Sequence, residues 1–149
     1  MNLTPHFSKE ELEASAEAAA HGINNSIPKE LLPKAKVFCE ALERVRTLLC
    51  KTYETDVPML ITSGYRCPQL NELVGGKPTS QHLLMEAADF HIPESLGTPS
   101  EVWEYIRKSN LPYDQLILEH DSNGTSWVHY SMPTPGKVAR RMAFRLEKS

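Results

Sequence analysis

The sequence lacks the features of several protein classes. No apolar run approaches the ~18 residues that a bilayer-spanning helix needs. The 16 basic and 19 acidic residues give a formal net charge of −3, which excludes the strongly basic footprint of a nucleic-acid-binding protein. Three cysteines are an odd number, and none belongs to a CxxC pair, so a disulfide framework and a thiolate zinc finger are both excluded. We therefore expect free thiols, no nucleic-acid partner and no membrane insertion.

The chain also lacks repeats, low-complexity blocks and heptads. Its opening segment, MNLTPHFSKEELEAS, has neither the basic n-region nor the apolar h-region of a signal peptide, which predicts synthesis in a cytoplasm. A length of 149 residues with 40% hydrophobic residues is enough for one buried core. We expect a single domain over residues 1–149 and a monomer.

The first half of the chain has helical patterns. Ser8 and Glu11 form a capping box that predicts a helix over residues 10–20. Pro33 suits the first turn of a longer helix that runs to about Lys51. The apolar stripe of that helix, which we expect in the core, consists of Val37, Phe38, Ala41, Leu42, Val45, Leu48 and Leu49.

The second half has short apolar segments bounded by proline, glycine and turn residues. Helices followed by strands, without a βαβ rhythm, predict an α+β domain with a small, mainly antiparallel sheet and helices packed on it. The predicted strands are residues 59–62, 87–92, 114–119 and 126–132, and the predicted helical segments are residues 68–74 and 98–109.

His82, Asp89 and His129 are the candidate metal ligands. Asp89 lies on the polar face of an otherwise apolar strand, where an acid is costly unless it is paired or binds a metal. For His82 and Asp89 to share an ion at about 2.0–2.2 Å, the chain must turn between them. A solvated acid on an open sheet face is the alternative that the pattern leaves open.

Glu119 and His129 lie on the two strands of a predicted hairpin. A turn centred on Asn123 pairs Glu119 with Trp127 and Ile117 with His129, so Glu119 and His129 point the same way. A slip by one residue separates them. The spacing is compatible with a metal ligand beside a general base, and both registers remain open at this point.

Four ordered segments resemble the M15 zinc peptidases, the D-alanyl-D-alanine carboxypeptidase and murein endopeptidase group whose fold is shared with the hedgehog signalling domain. SQHLLMEAAD at residues 80–89 is similar to the signature S-x-H-x-x-G-x-A-x-D. The opening of the chain is similar to the L-S-P-H-F-T start of phage and prophage members. The other matching segments are TSGYRCP at 62–68 with LN at 70–71 and VGG at 74–76, DQLILE at 114–119, and WVH at 127–129.

The resemblance implies a catalytic zinc site. His82, Asp89 and His129 would hold one Zn²⁺, leaving a fourth position for water. Glu119 would be the general base that takes the proton of this water and passes it to the leaving amine. The implied protein is a zinc metallopeptidase with a hedgehog/DD-peptidase-like fold.

The resemblance also implies a substrate, the stem peptide of peptidoglycan. Arg66 would bind a substrate carboxylate or the developing oxyanion. Tyr65, Ser80 and Gln81 would contact the substrate or support the ligands. The protein would act at the bacterial cell wall as an endolysin-like carboxypeptidase or endopeptidase, reaching the wall through a pore or with a virion.

Two positions depart from the family pattern. Met85 replaces a glycine, and a positive φ there would strain a methionine by ~1–2 kcal/mol or add bulk beside the metal loop. Ser126 occupies the position of the catalytic acid in many relatives. The resemblance to the subgroup with D-Q-L-I-x-E makes Glu119 the better candidate for the base, with Asp121 a distant second. A catalytically silent zinc-binding module of a phage particle is the alternative function that Met85 favours.

Overall fold

The structure is a computed structural model that describes residues 1–148. The described residues form five α-helices and seven strands. The helices are α1 (Lys9–Glu13), α2 (Ala16–Ala20), α3 (Leu32–Tyr53), α4 (Pro68–Leu73) and α5 (Pro99–Lys108). The strands are β1 (Asn2–Thr4), β2 (Phe7–Ser8), β3 (Leu60–Ser63), β4 (Ala87–His91), β5 (Gln115–His120), β6 (Ser126–Ser131) and β7 (Met142–Glu147). Single 3-10 turns occupy Lys29–Leu31 and Gln81–Leu84.

Five strands form the main sheet in the order β3-β4-β6-β5-β7. The first three neighbouring pairs are antiparallel, whereas β7 runs parallel to β5. Strands β1 and β2 form a separate antiparallel pair. The predicted α+β class, with a mainly antiparallel sheet and helices, is therefore confirmed.

Helix α3 supplies one wall of the hydrophobic core. Its buried face carries Phe38, Leu42, Val45 and Leu49, at the three- and four-residue steps of an amphipathic helix. The prediction for Val37 is wrong, because its side chain is 57% exposed. The positions that complete the buried face instead are Ala35 and Cys39.

The predicted helix over residues 10–20 is divided into α1 and α2. Ala14 is extended, and the Ser15 hydroxyl accepts a hydrogen bond from the Ala18 amide and so begins a second helix. A serine in an alanine-rich segment can therefore act as a new N-cap rather than as a helix interior residue. The predicted capping box of Ser8 and Glu11 is present at the start of α1.

The three cysteines are free thiols, as the sequence predicts. Burial raises the pKa of the Cys39 thiol to about 12, so that thiol stays protonated and packs as a small apolar group. None of the helices within residues 1–148 has both the length and the hydropathy needed to cross a bilayer.

Candidate metal centre

The 3-10 turn Gln81–Leu84 positions His82. The Ser80 hydroxyl accepts a hydrogen bond from the His82 amide at 3.2 Å and begins the turn. Met85 ends it in the left-handed conformation, with φ +56° and ψ 42°. The chain thereby reverses into β4, which is the turn between His82 and Asp89 that a shared metal requires.

Met85 thus carries the positive φ that the family glycine would adopt without strain. Its side chain is fully buried and belongs to the hydrophobic core. Because it packs into the core, Met85 does not narrow the cleft in front of the ligands. The departure at this position therefore affects the stability of the turn rather than access to the site.

The register of β4 and β6 brings Asp89 and His129 together. The two residues are direct antiparallel partners, so their side chains lie on the same face. His129 Nδ1 lies 2.9 Å from Asp89 Oδ1, and His82 Nε2 lies 3.4 Å from the same oxygen. All three side chains are buried, which shows that the alternative of a solvated Asp89 is wrong.

The protonation of His82 follows from its partner. Its Nδ1 lies 2.7 Å from the Gly64 carbonyl oxygen, which can only accept, so Nδ1 carries the hydrogen. Nε2 is then the nitrogen of this ring that faces Asp89, with Oδ1 at 3.4 Å. An imidazole nitrogen and a carboxylate oxygen that face each other in a buried site are donor atoms that one divalent cation can bridge.

The donor atoms are close enough to share one metal ion. Ligand bonds of 2.0–2.2 Å place neighbouring donor atoms about 3.3–3.6 Å apart in a tetrahedron. His82 Nε2 lies 3.4 Å from Asp89 Oδ1, within this range, whereas His129 Nδ1 lies at the shorter hydrogen-bond distance of 2.9 Å, and the three donor atoms lie within 4.8 Å of one another. Nδ1 is the His129 nitrogen that faces Asp89, whereas its Nε2 is buried without a hydrogen-bond partner in the described residues. These three residues can hold one divalent ion.

Asp89 is ionised in this surrounding. Burial opposes its ionisation, but His82 and His129 outweigh that effect and hold the pKa of its carboxyl well below the ordinary range. Its second oxygen, Oδ2, lies 3.7 Å from Arg66 Nη2. One carboxylate oxygen therefore faces the histidines, and the other faces a fixed cation.

Glu119 lies beside the three ligands. The hairpin has the register centred on Asn123, with Ile117 opposite His129 and Glu119 opposite Trp127. Glu119 Oε1 is 3.8 Å from His129 Nδ1 and accepts a hydrogen bond from Trp127 Nε1 at 3.3 Å. The buried carboxylate is thus held at the site.

The two other candidate acid positions have structural partners. The Ser126 hydroxyl is 2.6 Å from His120 Nδ1. The Asp121 carboxylate accepts hydrogen bonds from the amides of Asn123 and Thr125 within the hairpin turn. Both arrangements leave Glu119 as the acid next to the ligands.

Arg66 is fixed by the loop after β3. Its Nε donates to the Ser63 hydroxyl at 3.2 Å, and its Nη1 lies 3.5 Å from Asn71 Oδ1. The loop packs tightly on the N-terminal region, because a Cβ on Gly64 would lie only 2.6 Å from the Leu12 carbonyl oxygen. A glycine is therefore required where the loop turns toward His82.

An open cleft of about 570 Å³ leads to these groups. His82, His129, Glu119 and Arg66 line it, and Ser80 and Gln81 form part of its wall. The Gln81 amide already donates to Asp114 Oδ2 at 3.0 Å and to the Met132 carbonyl at 3.2 Å. The structure does not bring Tyr65 into this cleft, because Tyr65 borders a smaller neighbouring pocket of about 260 Å³. Substrate contact by Tyr65, Ser80 and Gln81 stays a prediction.

Asp114 and Arg140 are site-supporting residues to which the sequence assigns no role. The buried Asp114 carboxylate accepts from the backbone amide, Nε and Nη2 of Arg140 at 3.0, 3.0 and 2.7 Å, in addition to Gln81. The bonds from Arg140 outweigh burial and lower the pKa of the Asp114 carboxyl. An acid at the start of an apolar strand is the signal that marks Asp114, but no sequence pattern indicates Arg140 as its partner.

The comparison with known families agrees with this geometry. The model of the Peptidase M15 family matches residues 5–131, which is most of the chain. The chain therefore belongs to the Peptidase M15 family, whose members are metal-dependent peptidases. A search of curated proteins found no match.

Proposed function

We propose that this chain is a zinc-dependent peptidoglycan peptidase that cleaves amide bonds of the stem peptide. The observation that carries the proposal is the convergence of His82, Asp89 and His129 beside Glu119, at the base of an open cleft. Two imidazoles and one carboxylate form the ligand set of a catalytic zinc site, which keeps a further position open.

His82 Nε2, Asp89 Oδ1 and His129 Nδ1 would hold the ion. When bound, zinc supplies Lewis acidity, which polarises the scissile carbonyl and acidifies water. The hydrogen bond from His82 Nδ1 to Gly64 keeps Nε2 available as a ligand, and burial of the three side chains excludes competing solvent.

Glu119 would act as the general base. Its Oε1 lies next to His129 Nδ1, close enough to accept the proton of an attacking water and later return it to the leaving amine. The hydrogen bond from Trp127 Nε1 orients this oxygen. A fixed carboxylate needs no rearrangement to take the proton in the transition state.

Arg66 would stabilise negative charge on the substrate. Its guanidinium is held by Ser63 and Asn71 at the edge of the site, and Asp89 Oδ2 lies opposite it. Four lysine or arginine side chains line the cleft, whereas Glu119 is the acidic side chain among its lining residues. An excess of positive charge suits a stem peptide, whose free carboxylates are anionic.

The test is digestion of purified peptidoglycan by the wild-type and Glu119→Gln proteins at equal zinc content. We expect the substitution to reduce the release of new amino groups by about 10²–10⁴-fold, the usual contribution of general base catalysis. Glu86→Gln is the matched control, because Glu86 is also a buried glutamate but pairs with Lys34 outside the cleft.

Equal release by wild type and Glu119→Gln would remove Glu119 from the role of base. One bound zinc with no hydrolysis of any muropeptide would contradict the peptidase and support a silent zinc-binding module. If the proposal holds, the protein works at the bacterial cell wall, and mass spectrometry of the digested muropeptides identifies the cleaved bond.

A further inference from the structure

The C-terminal strand completes the cleft, although it lies beyond the residues that match the family. β7 pairs with β5 along its whole length, with Leu146 opposite Glu119. The Lys148 amide continues this pairing by donating to the His120 carbonyl at 2.6 Å. Phe144, Leu146 and Lys148 thereby form part of the cleft wall.

The strand order distributes the charged groups across the sheet from one edge to the other. Arg66 follows β3, Asp89 lies on β4, His129 on β6, Glu119 on β5, and Lys148 follows β7. The two cations therefore come from opposite edges of the sheet, and the candidate metal ligands and base lie between them.

Each of the two cationic side chains contacts an acidic residue on the neighbouring strand. Arg66 Nη2 lies 3.7 Å from Asp89 on β4, and Lys148 Nζ lies 2.9 Å from Glu119 Oε2 on β5. Strands β4 and β5 are two strand spacings apart, which is about 10 Å. The two positive charges thus lie on either side of the candidate metal ligands and base.

The ammonium group of Lys148 is available for a ligand in a way that the guanidinium of Arg140 is not. The Arg140 guanidinium already donates hydrogen bonds through Nε and Nη2 to both carboxylate oxygens of Asp114. Lys148 has one carboxylate partner within residues 1–148, is 47% exposed, and has three N–H donors. It can contact Glu119 and an anionic group in the cleft at the same time.

We propose that Lys148 is a specificity-determining residue that binds a carboxylate of the substrate at the end of the cleft opposite Arg66. The inference rests on the proposed function. The stem pentapeptide L-Ala-γ-D-Glu-L-Lys-D-Ala-D-Ala has two carboxylates, one on the glutamyl residue and one on the C-terminal D-Ala, with two residues between these positions. Because the two cations flank the site from opposite edges of the sheet, Arg66 and Lys148 select a peptide with a carboxylate on each side of the cleaved bond.

The experiment compares three synthetic peptides: the pentapeptide and its two monoamides, each lacking one carboxylate. In the zinc-loaded Lys148→Met protein we expect kcat/KM for the pentapeptide to fall about 10-fold or more, the usual effect of losing a charge-assisted hydrogen bond. We expect a change of less than about twofold for the one monoamide that lacks the carboxylate bound by Lys148. Lys148→Arg should retain most of the preference, and the exposed Lys36→Met on α3 is the control.

Calorimetric binding gives a readout that does not depend on turnover. The Glu119→Gln protein should bind the pentapeptide more tightly than that same monoamide, and adding Lys148→Met should erase the difference. If the wild-type chain cleaves none of the peptides but digests peptidoglycan, the proposed function stands, and if it digests neither, the proposed function fails. In both cases the same binding comparison between wild type and Lys148→Met decides the inference alone.

An equal fall in kcat/KM for all three peptides would overturn the inference, because Lys148 would then act only by positioning Glu119. An unchanged preference for the diacid in Lys148→Met, with hydrolysis intact, would also overturn it and leave the peptidase standing.

Discussion

Asp89 and Asp114 are two buried aspartates of the same sheet region with different surroundings. Asp114 is saturated by the protein itself, with three hydrogen bonds from Arg140 and one from Gln81. Asp89 faces two imidazoles, and its fixed cation, Arg66, is 3.7 Å away on the other oxygen.

The difference separates a structural acid from a ligand. A carboxylate that exists to hold segments together is paired with a permanent cation and several donors, as Asp114 is. At Asp89 the nearest partner atoms are the ring nitrogens of His82 and His129, which are metal ligands in their neutral form. The Asp89 cluster therefore has the donor set of a metal site, whereas the Asp114 cluster is paired within the chain.

The largest expected effect concerns metal affinity. Asp89→Asn should weaken zinc binding by more than about 100-fold, because it removes a direct ligand. Loss of a residue that only hydrogen-bonds to a ligand costs up to about 100-fold. Asp114→Asn should change the affinity much less, since its carboxylate touches Gln81 and not the ligands. Competition with a chromogenic chelator measures both, and equal losses in the two variants would refute the distinction.

The next effect concerns stability. Asp114→Ala should lower the free energy of unfolding by about 1–3 kcal/mol, because Gln81 and the Arg140 amide lose their acceptor. The loss stays below the 3–5 kcal/mol typical of a broken, fully buried ion pair, since the Arg140 side chain is 54% exposed and remains solvated. Urea denaturation of the zinc-loaded protein measures this change. A change in the free energy of unfolding near zero would show that the Asp114 cluster does not stabilise the fold.

The pH dependence sharpens the same comparison. Because the bonds from Arg140 lower the folded-state pKa of Asp114, its ionised form stabilises the fold above the unfolded-state pKa, near 4. That stabilisation is lost as the pH falls through the lowered folded-state value. The stability advantage of wild type over Asp114→Asn should therefore be constant near neutral pH and shrink below about pH 4. A constant advantage down to pH 2 would contradict this account.

The smallest effect concerns the turn that joins His82 to Asp89. Met85→Ala and Met85→Gly both remove the buried side chain, but only glycine removes the left-handed strain. We expect both variants to be less stable than wild type, and the glycine variant to be more stable than the alanine variant by about 1 kcal/mol. Equal stability of the two variants in urea would show that the turn relaxes when the side chain is lost.

Much of the site could be predicted from local sequence. The acid in the apolar strand marks Asp89, and a turn centred on Asn123 is one of the two hairpin registers that the sequence leaves open, the one that brings Glu119 to the face of His129. The reversal after His82 follows from the need to share a metal with Asp89. These features depend on neighbouring residues and on antiparallel pairing across a short turn, which sequence periodicity reports directly.

The remaining features depend on distant contacts. Strand β7 has a mostly exposed, weakly alternating sequence, and its parallel pairing with β5 is not set by a turn. The positions of Arg140 and Lys148 therefore could not be predicted. The break between α1 and α2 was missed because the Ser15 N-cap competes with a favourable alanine-rich helix. Val37 shows that an apolar residue beside a buried stripe need not be buried.

The central claim is that one metal ion is bound by His82, Asp89 and His129. Anomalous scattering at the zinc edge from crystals of the zinc-loaded protein tests it most directly. We predict one dominant peak about 2.0–2.2 Å from His82 Nε2, Asp89 Oδ1 and His129 Nδ1, with Glu119 outside the coordination shell. A dominant peak elsewhere, or a His129 ring turned away from the ion, would contradict the account.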